Sequence, residues 1–220
     1  MSSELYLILN VVVKWSMQKQ MQKEVMKLKN SNFVDASTYH QFLRRLKQGN
    51  LTKNRNTFDH ICAFFLPLDM TKKSIYLGHH IKADDWIPPG GHIEAGEMPI
   101  DTVRREFVEE LDFNLTKQPI ELFDLSIKDV SGNPKHQCKI HYDFWYLVYT
   151  DKIDYRFDRK EFHQAKWMTI DEALKKMKLA NYAAVIKKIN STILCRTLEN
   201  NHKIIYKVLR SFFWFKLFIQ

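Results

Sequence analysis

The chain has 220 residues, 45% hydrophobic and 27% charged, which suits one principal domain with an appendage and excludes a disordered or fibrous protein. Its three cysteines, Cys62, Cys138 and Cys195, are odd in number and far apart, so neither a disulfide framework nor a zinc site of paired cysteines is expected, and a reducing, cytoplasmic setting fits best. The net charge of +9 divides into +7 over residues 1–56, −5 over 57–170 and +7 over 171–220. An acidic centre of this kind can hold a divalent cation, and basic flanks suit nucleic acid, an anionic membrane surface or a phosphorylated substrate, or are simply Lys-rich solvated helix faces.

In chain order, the apolar run Leu5 to Val13 lacks a preceding basic residue and is shorter than the ~20 residues that span a bilayer, so it reads as a packed helix. Lys and Gln crowd around Met17, Met21, Val25 and Leu28, which predicts a further helical stretch. A clearer helix follows, with Ser37 as its cap, Tyr39, Phe42, Leu43 and Leu46 at helical spacing, and Gly49 as its end. The polar linker 51–57 closes a basic, helical N-terminal extension, residues 1–56.

The pattern then changes to strand-like runs at 61–68, 74–81, 120–130 and 141–150, with turn chemistry between the last two from Asp129 to Pro134. A short helix starts near Asp171, followed by AAVIKKIN and a basic, aromatic-rich tail. Tail residues Phe212 to Ile219, preceded by Lys203, Lys207 and Arg210, are too short a run to span a bilayer. Packing against the N-terminal helices is the common fate of such a segment, and docking at a membrane interface the alternative. Strands, a helix, more strands and terminal helices predict a layered α/β domain over 57–180, with 181–220 as a helical C-terminal tail.

Residues 84–113 carry the chemistry. A turn rich in Pro and Gly leads into a helix, with Pro99 in its first turn, Asp101 where the helix dipole favours an anion, and Met98 as a poor cap. Ile100, Val103, Phe107 and Leu111 form an apolar stripe that anchors this helix to a sheet. On the other side Glu106 and Glu110 project in nearly the same direction with Glu109 beside them. Arg105 stands four residues before Glu109 and can pair with it, leaving Glu106 and Glu110 for a hard cation such as Mg²⁺ or Mn²⁺. A solvated Glu-rich helix is the bland alternative, disfavoured by the adjoining Gly90–Gly91 turn and Glu97.

The segment from Gly91 through Glu97 to Arg105, Glu106, Phe107, Val108, Glu109, Glu110, Leu111, Asp112 and Phe113 resembles the signature box of the Nudix hydrolases, G-x5-E-x7-R-E-U-x-E-E-x-G-U, where U is apolar. Six of its seven fixed polar or glycine positions match, Asp112 replacing a glycine that would end the helix in a left-handed conformation, which Asp tolerates. The PGGHI turn, the triplet His141-Tyr142-Asp143 and the segment EFHQAKWMTIDEA extend the likeness over about 57–180.

The resemblance implies a Nudix-type α/β/α sandwich with a mixed sheet, and hydrolysis of a pyrophosphate bond in a nucleoside diphosphate linked to another moiety. It implies Mg²⁺ or Mn²⁺ as cofactor, with Glu106 and Glu110 as principal ligands, Glu109 as an additional ligand or partner of Arg105, Glu97 in support, and the carbonyl of Gly90 or Gly91 completing the site. It also places the general base outside the box, before the last strand, where Glu161 is nominated ahead of His163.

Trp86 and Tyr142 are candidates for stacking on a base, and His92, with His79 and His80, for reaching the substrate. His141 and Asp143 should share one face of their strand, Tyr142 and Phe144 the other. A small nucleotide derivative is the expected partner, with an RNA 5′ end as a subordinate substrate and no DNA motif. Two further readings share the fold: a regulatory module that senses a nucleotide without turnover, which need not keep the carboxylates, and an isomerase of prenyl diphosphates, whose reactive cysteine has no counterpart, Cys62 reading as a buried thiol in an apolar strand.

Overall fold

A computed structural model describes residues 17–131, 138–151 and 153–193. Its elements are α1 (17–27), α2 (Ala36–Gln48), β1 (Asp59–Asp69), β2 (Ser74–His80), β3 (Asp85–Ile87), β4 (Gly90–His92), α3 (Pro99–Leu111), β5 (Ile120–Asp129), β6 (Ile140–Tyr149), β7 (Phe162–Thr169), α4 (Ile170–Lys176) and α5 (180–193). The Leu5–Val13 stretch and the aromatic tail lie outside the described residues. Among the described residues no helix is long and apolar enough to cross a membrane.

The seven strands form one mixed sheet with the path β3-β2-β1-β6-β5, β4 adding to β1 and β7 to β2. The pair β1–β6 is parallel along its whole length, and the other pairings are antiparallel. Strands β1 and β2 pair only at Leu68–Ile75 and Asp69–Ser74. Beyond that point the edge of β1 takes up β4 and the edge of β2 takes up β3. The sheet therefore opens between its two central strands, and the Pro-Gly turn fills the opening.

Period-2 alternation along β1 divides the core. Ile61, Ala63 and Phe65 face one side, where Met21, Val25 and Leu28, then Tyr39, Phe42 and Leu46 of α2, and Val103, Phe107 and Leu111 of α3 cover the sheet. Cys62, Phe64, Leu66 and Leu68 face the other, under Ile170 and Ala173 of α4 and Tyr182, Val185, Ile186 and Ile189 of α5. This is the expected α/β/α sandwich. The Phe107 ring stacks on Phe65 at 4.8 Å between centroids, so the apolar stripe of α3 fixes which of its faces is left for the carboxylates.

Several local readings change. Asp35, not Ser37, caps α2: its carboxylate accepts from the Thr38 N–H at 2.9 Å. Gly49 ends that helix at φ +72°, as expected. Met98 supplies no side-chain cap to α3, but the Asp101 carboxylate takes the Met98 N–H at 3.1 Å. Asp112 ends α3 in the left-handed region, φ +48°, its N–H returning to the Val108 carbonyl at 3.1 Å. Strands β3, β4 and β7 have no counterpart among the strand-like runs. The first two span three residues each, below the length at which alternation is readable.

Candidate active site

At the opening between β1 and β2 lies a cleft of about 840 Å³. Its acidic wall is α3. Glu110 is 6% exposed, and its Oε2 accepts the Gly90 N–H at 2.8 Å. Burial pushes its carboxyl well above the usual range, the nearby Glu106 pushes it further, and the Gly90 N–H opposes both. Glu106 is raised by burial too, against the pull of Arg105. Two carboxylates side by side, both raised by burial, fit a hard divalent cation, which would reverse both shifts.

The glycine turn is shaped to this pair. Gly90 has φ +138°, and a Cβ there would collide with the Ala63 carbonyl and the Phe64 Cα, while a Cβ on Gly91 would occupy the place of the Glu106 carboxylate. Both glycines serve close approach, Gly90 to the backbone of β1 and Gly91 to a side chain of α3.

Arg105 ties the wall together, and more widely than the i,i+4 spacing suggests. It bonds Glu109 at 2.9 Å as expected, but also Glu106 Oε1 at 2.8 Å and Glu97 through Nε at 2.8 Å, and it reaches the His92 carbonyl at 3.1 Å. Glu106 is thus not left unpaired. Burial raises Glu97, but hydrogen bonds from Arg105, the Glu94 N–H and Thr102 outweigh it and hold its carboxyl below the usual range. Those bonds occupy Glu97, which does not line the cleft. Glu109, expected to converge with the other two, is 56% exposed at the rim because its position on α3 turns it toward solvent.

Across the cleft stands Glu161, just before β7. Its carboxylate lies 3.3 Å from Lys82 Nζ and 3.4 Å from His80 Nε2. His80 Nδ1 accepts the N–H groups of Lys82 and Ala83, which orients the ring. The Asp158 N–H donates to the Glu110 carbonyl at 2.8 Å and so ties this loop to the end of α3. His163 is exposed beside His79 and does not line the cleft.

The two stacking candidates also lie elsewhere. Tyr142 points to the α2 side, edge-on to Phe42 at 5.3 Å, because alternation sends it with Phe144 away from the cleft. Trp86 packs beside His79, with the Lys166 and Lys176 ammonium groups over its ring, outside the cleft lining. Apolar lining comes from Phe64, Ile87 and Tyr182, and cationic lining from Lys53, Lys82, Lys128 and Arg105. Lys53, Lys128 and Tyr182 carried no readable signal, since a lone lysine or tyrosine in a linker, strand or helix has no distinguishing neighbours.

His92 does line the cleft, and it has company that the sequence did not suggest. His60, Cys62, His92 and His141 gather on the floor, with one donor atom of each within 4.8 Å of the others. Burial lowers His60 and pushes the Cys62 thiol well up. Behind them Asp143 is fully buried, and burial pushes its carboxyl up to about 7, with Lys128 and the Ser126 hydroxyl pulling the other way.

A split mixed sheet between helical layers, with one helix presenting buried carboxylates to a glycine turn, defines the architectural class. A family model described as NUDIX domain matches residues 59–189. The chain belongs to the Nudix family. A Lactococcus lactis protein named "Probable DHNTP pyrophosphohydrolase" is 33% identical over 78 residues, 34% of this chain and 45% of that protein, so the match spans less than half of the relative. Among solved structures, the E. coli dihydroneopterin triphosphate pyrophosphohydrolase has a TM-score of 0.53 at 14% identity, over 58% of this chain and 92% of that one. The C. elegans Ap4A hydrolase has a TM-score of 0.50 at 18% identity, over 60% and 97%. Both structural likenesses concern the fold.

Proposed function

We propose that the chain is a divalent-metal-dependent pyrophosphohydrolase that cleaves a phosphoanhydride bond in a small nucleotide-like triphosphate or diphosphate derivative. The observation that carries this reading is a buried carboxylate, Glu110, beside the partly buried Glu106, both facing a cleft lined by Lys53, Lys82, Lys128 and Arg105. Glu106 and Glu110 would hold Mg²⁺ or Mn²⁺, with a carbonyl of the Gly90–Gly91 turn and the rim carboxylate of Glu109 as further oxygen donors. When bound, such an ion neutralises phosphoryl charge and lowers the pKa of an attacking water.

The chain's own residues supply the rest. Arg105 holds Glu106 in place and is itself held by Glu97, which makes Glu97 a positioning residue. Lysines at the cleft wall draw in and orient a polyphosphate, and are worth most where water is displaced. Glu161 takes the proton of the water as its oxygen bonds to phosphorus and the bridging P–O bond breaks, while His80 and Lys82 fix the carboxylate's direction. Phe64, Ile87 and Tyr182 offer an apolar surface to the non-phosphate part of the substrate.

Dihydroneopterin triphosphate leads the candidates, because the curated relative and one structural neighbour both carry that name. The test is release of phosphate or pyrophosphate from a panel of dihydroneopterin triphosphate, nucleoside diphosphate derivatives, dinucleoside polyphosphates and 5′-triphosphorylated RNA, with Mg²⁺ or Mn²⁺. Turnover of one class is expected, with Glu161→Gln lowering kcat by about 10²-fold or more and KM little changed. A ligand that raises the melting temperature with no turnover of any panel member would replace the enzyme by a sensing module.

A further inference from the structure

We propose that His60, Cys62, His92 and His141 form a second metal site, distinct from the carboxylates, that takes one zinc-class divalent ion. The inference is independent of the hydrolase reading, since it rests on different side chains with different chemistry.

Register brings the four together. His60 and Cys62 are two apart on β1 and share a face. His141 on β6 is the parallel partner of His60, and His92 on β4 is the antiparallel partner of Cys62. Three adjacent strands thus point three imidazoles and a thiol at one spot. The His60 ring lies 4.7 Å from that of His92 and 5.0 Å from that of His141, and the last two are 5.2 Å apart.

A second observation singles out a ligand. His60 is wholly buried, with 0% exposure. Its Nδ1 lies 3.0 Å from the Asn56 carbonyl, which requires the proton on Nδ1 and leaves Nε2 as a bare lone pair. That Nε2 is buried and has no hydrogen-bond partner. An imidazole anchored through one nitrogen to a carbonyl, with the other directed inward, is the arrangement that orients a metal-ligating histidine. An inward, unpaired acceptor otherwise bears its full desolvation penalty.

The donor set selects the ion. Three nitrogens and a sulfur suit Zn²⁺ and its borderline neighbours, whereas Mg²⁺ and Mn²⁺ prefer the oxygens of α3. Tetrahedral bonds of about 2.0 Å to nitrogen and 2.3 Å to sulfur place donors roughly 3.3–3.6 Å apart. The present limit of 4.8 Å needs only small side-chain rotations to close. Binding deprotonates the Cys62 thiol and releases that proton to solvent. Four protein ligands leave no open position, so the role is structural: the ion staples β4 and β6 to β1 and thereby holds the Gly90–Gly91 turn against Glu106 and Glu110.

The test is Co²⁺ titration of the full-length, chelator-stripped chain in excess Mg²⁺, read by visible absorption. Expected are the bands of tetrahedral cobalt with a thiolate charge-transfer band, saturating at one equivalent and displaced by Zn²⁺. Cys62→Ser should lose the charge-transfer band, and His141→Asn, at a half-buried position, should weaken binding at least tenfold. Glu110→Gln should leave the spectrum intact, as should Cys138→Ser, although the Cys138 thiol lies 3.9 Å from His92 Nε2. A folded wild-type chain without cobalt bands overturns the proposal. So does a spectrum unchanged in Cys62→Ser, or one abolished by Glu110→Gln or by Cys138→Ser. The wild-type titration needs no variant to fold.

Discussion

The acidic wall and the imidazole floor of the cleft are built in opposite ways. The wall comes from one helix, its carboxylates brought together by helical periodicity, graded from buried Glu110 to exposed Glu109 and braced by a single arginine. The floor comes from three strands, its donors spread from residue 60 to residue 141 and assembled only by strand register. Hard oxygens line one, nitrogen and sulfur the other. The contrast teaches that helical periodicity gathers donors of one kind and strand register donors of another, so that one cavity presents hard oxygens on one side and softer nitrogen and sulfur on the other. They meet at the Gly90–Gly91 turn, whose strand carries His92 and whose Gly90 N–H holds Glu110.

If the wall is the catalytic half, its removal should have the largest effect. Glu110→Gln is expected to lower kcat by about 10³-fold, on the scale of deleting a principal electrostatic group. The same change should raise the melting temperature of the metal-free protein at neutral pH, since it removes a buried carboxyl that resists ionisation. Lost activity with lost stability would instead mark Glu110 as a structural residue.

The shared turn offers the next test. Gly90→Ala forces a side chain into a positive-φ position already filled by the β1 backbone, and should cost about 3 kcal/mol or more, read by denaturant unfolding. A neutral result would show that the wall and the floor are not coupled through the turn.

The wall is also sharpened by pH. Burial raises Glu106 and Glu110 in the metal-free fold, so above the ordinary glutamate range of about 4.3 the folded state holds protons that the unfolded chain has released. Their effect on stability is nil below that range and becomes increasingly unfavourable as pH rises through it toward the raised values. Melting temperatures of metal-free wild type and Glu110→Gln should therefore diverge as pH rises above the ordinary glutamate range, the variant gaining with pH, and added Mg²⁺ should close the gap. Parallel curves would refute the assigned shift.

The smallest effect is at the exit of α3. Asp112 sits in the left-handed region, its ion pair with Arg156 3.5 Å long and exposed. Asp112→Gly should stabilise the fold by about 1 kcal/mol with activity unchanged, measured by thermal unfolding. A loss of stability would mean that the pair with Arg156 outweighs the backbone.

Legibility followed the length scale of the interactions. The apolar stripe of α3, the direction of Glu106 and Glu110, the left-handed exit at Asp112 and the opposite faces of His141 and Tyr142 were all readable, since each depends on residues within one or two turns or on strand alternation. Cap choice at α2 was misread by two residues because Asp35 and Ser37 are both good acceptors and only the entering backbone direction decides between them. Trp86 and Tyr142 lie outside the cleft lining, a placement that sequence does not reveal because an aromatic looks the same whether it faces a cleft or a core.

By itself, then, the sequence determined the layered α/β class and the carboxylate helix with its glycine turn, because local periodicity and backbone sterics are written in neighbouring residues. Only the tertiary structure decided that the sheet splits between β1 and β2, that Arg105 serves three carboxylates, that Glu161 faces Glu110, and that three histidines and a cysteine meet. These depend on strand register and chain crossing, which bring together residues whose separation in sequence carries no trace of their distance in space.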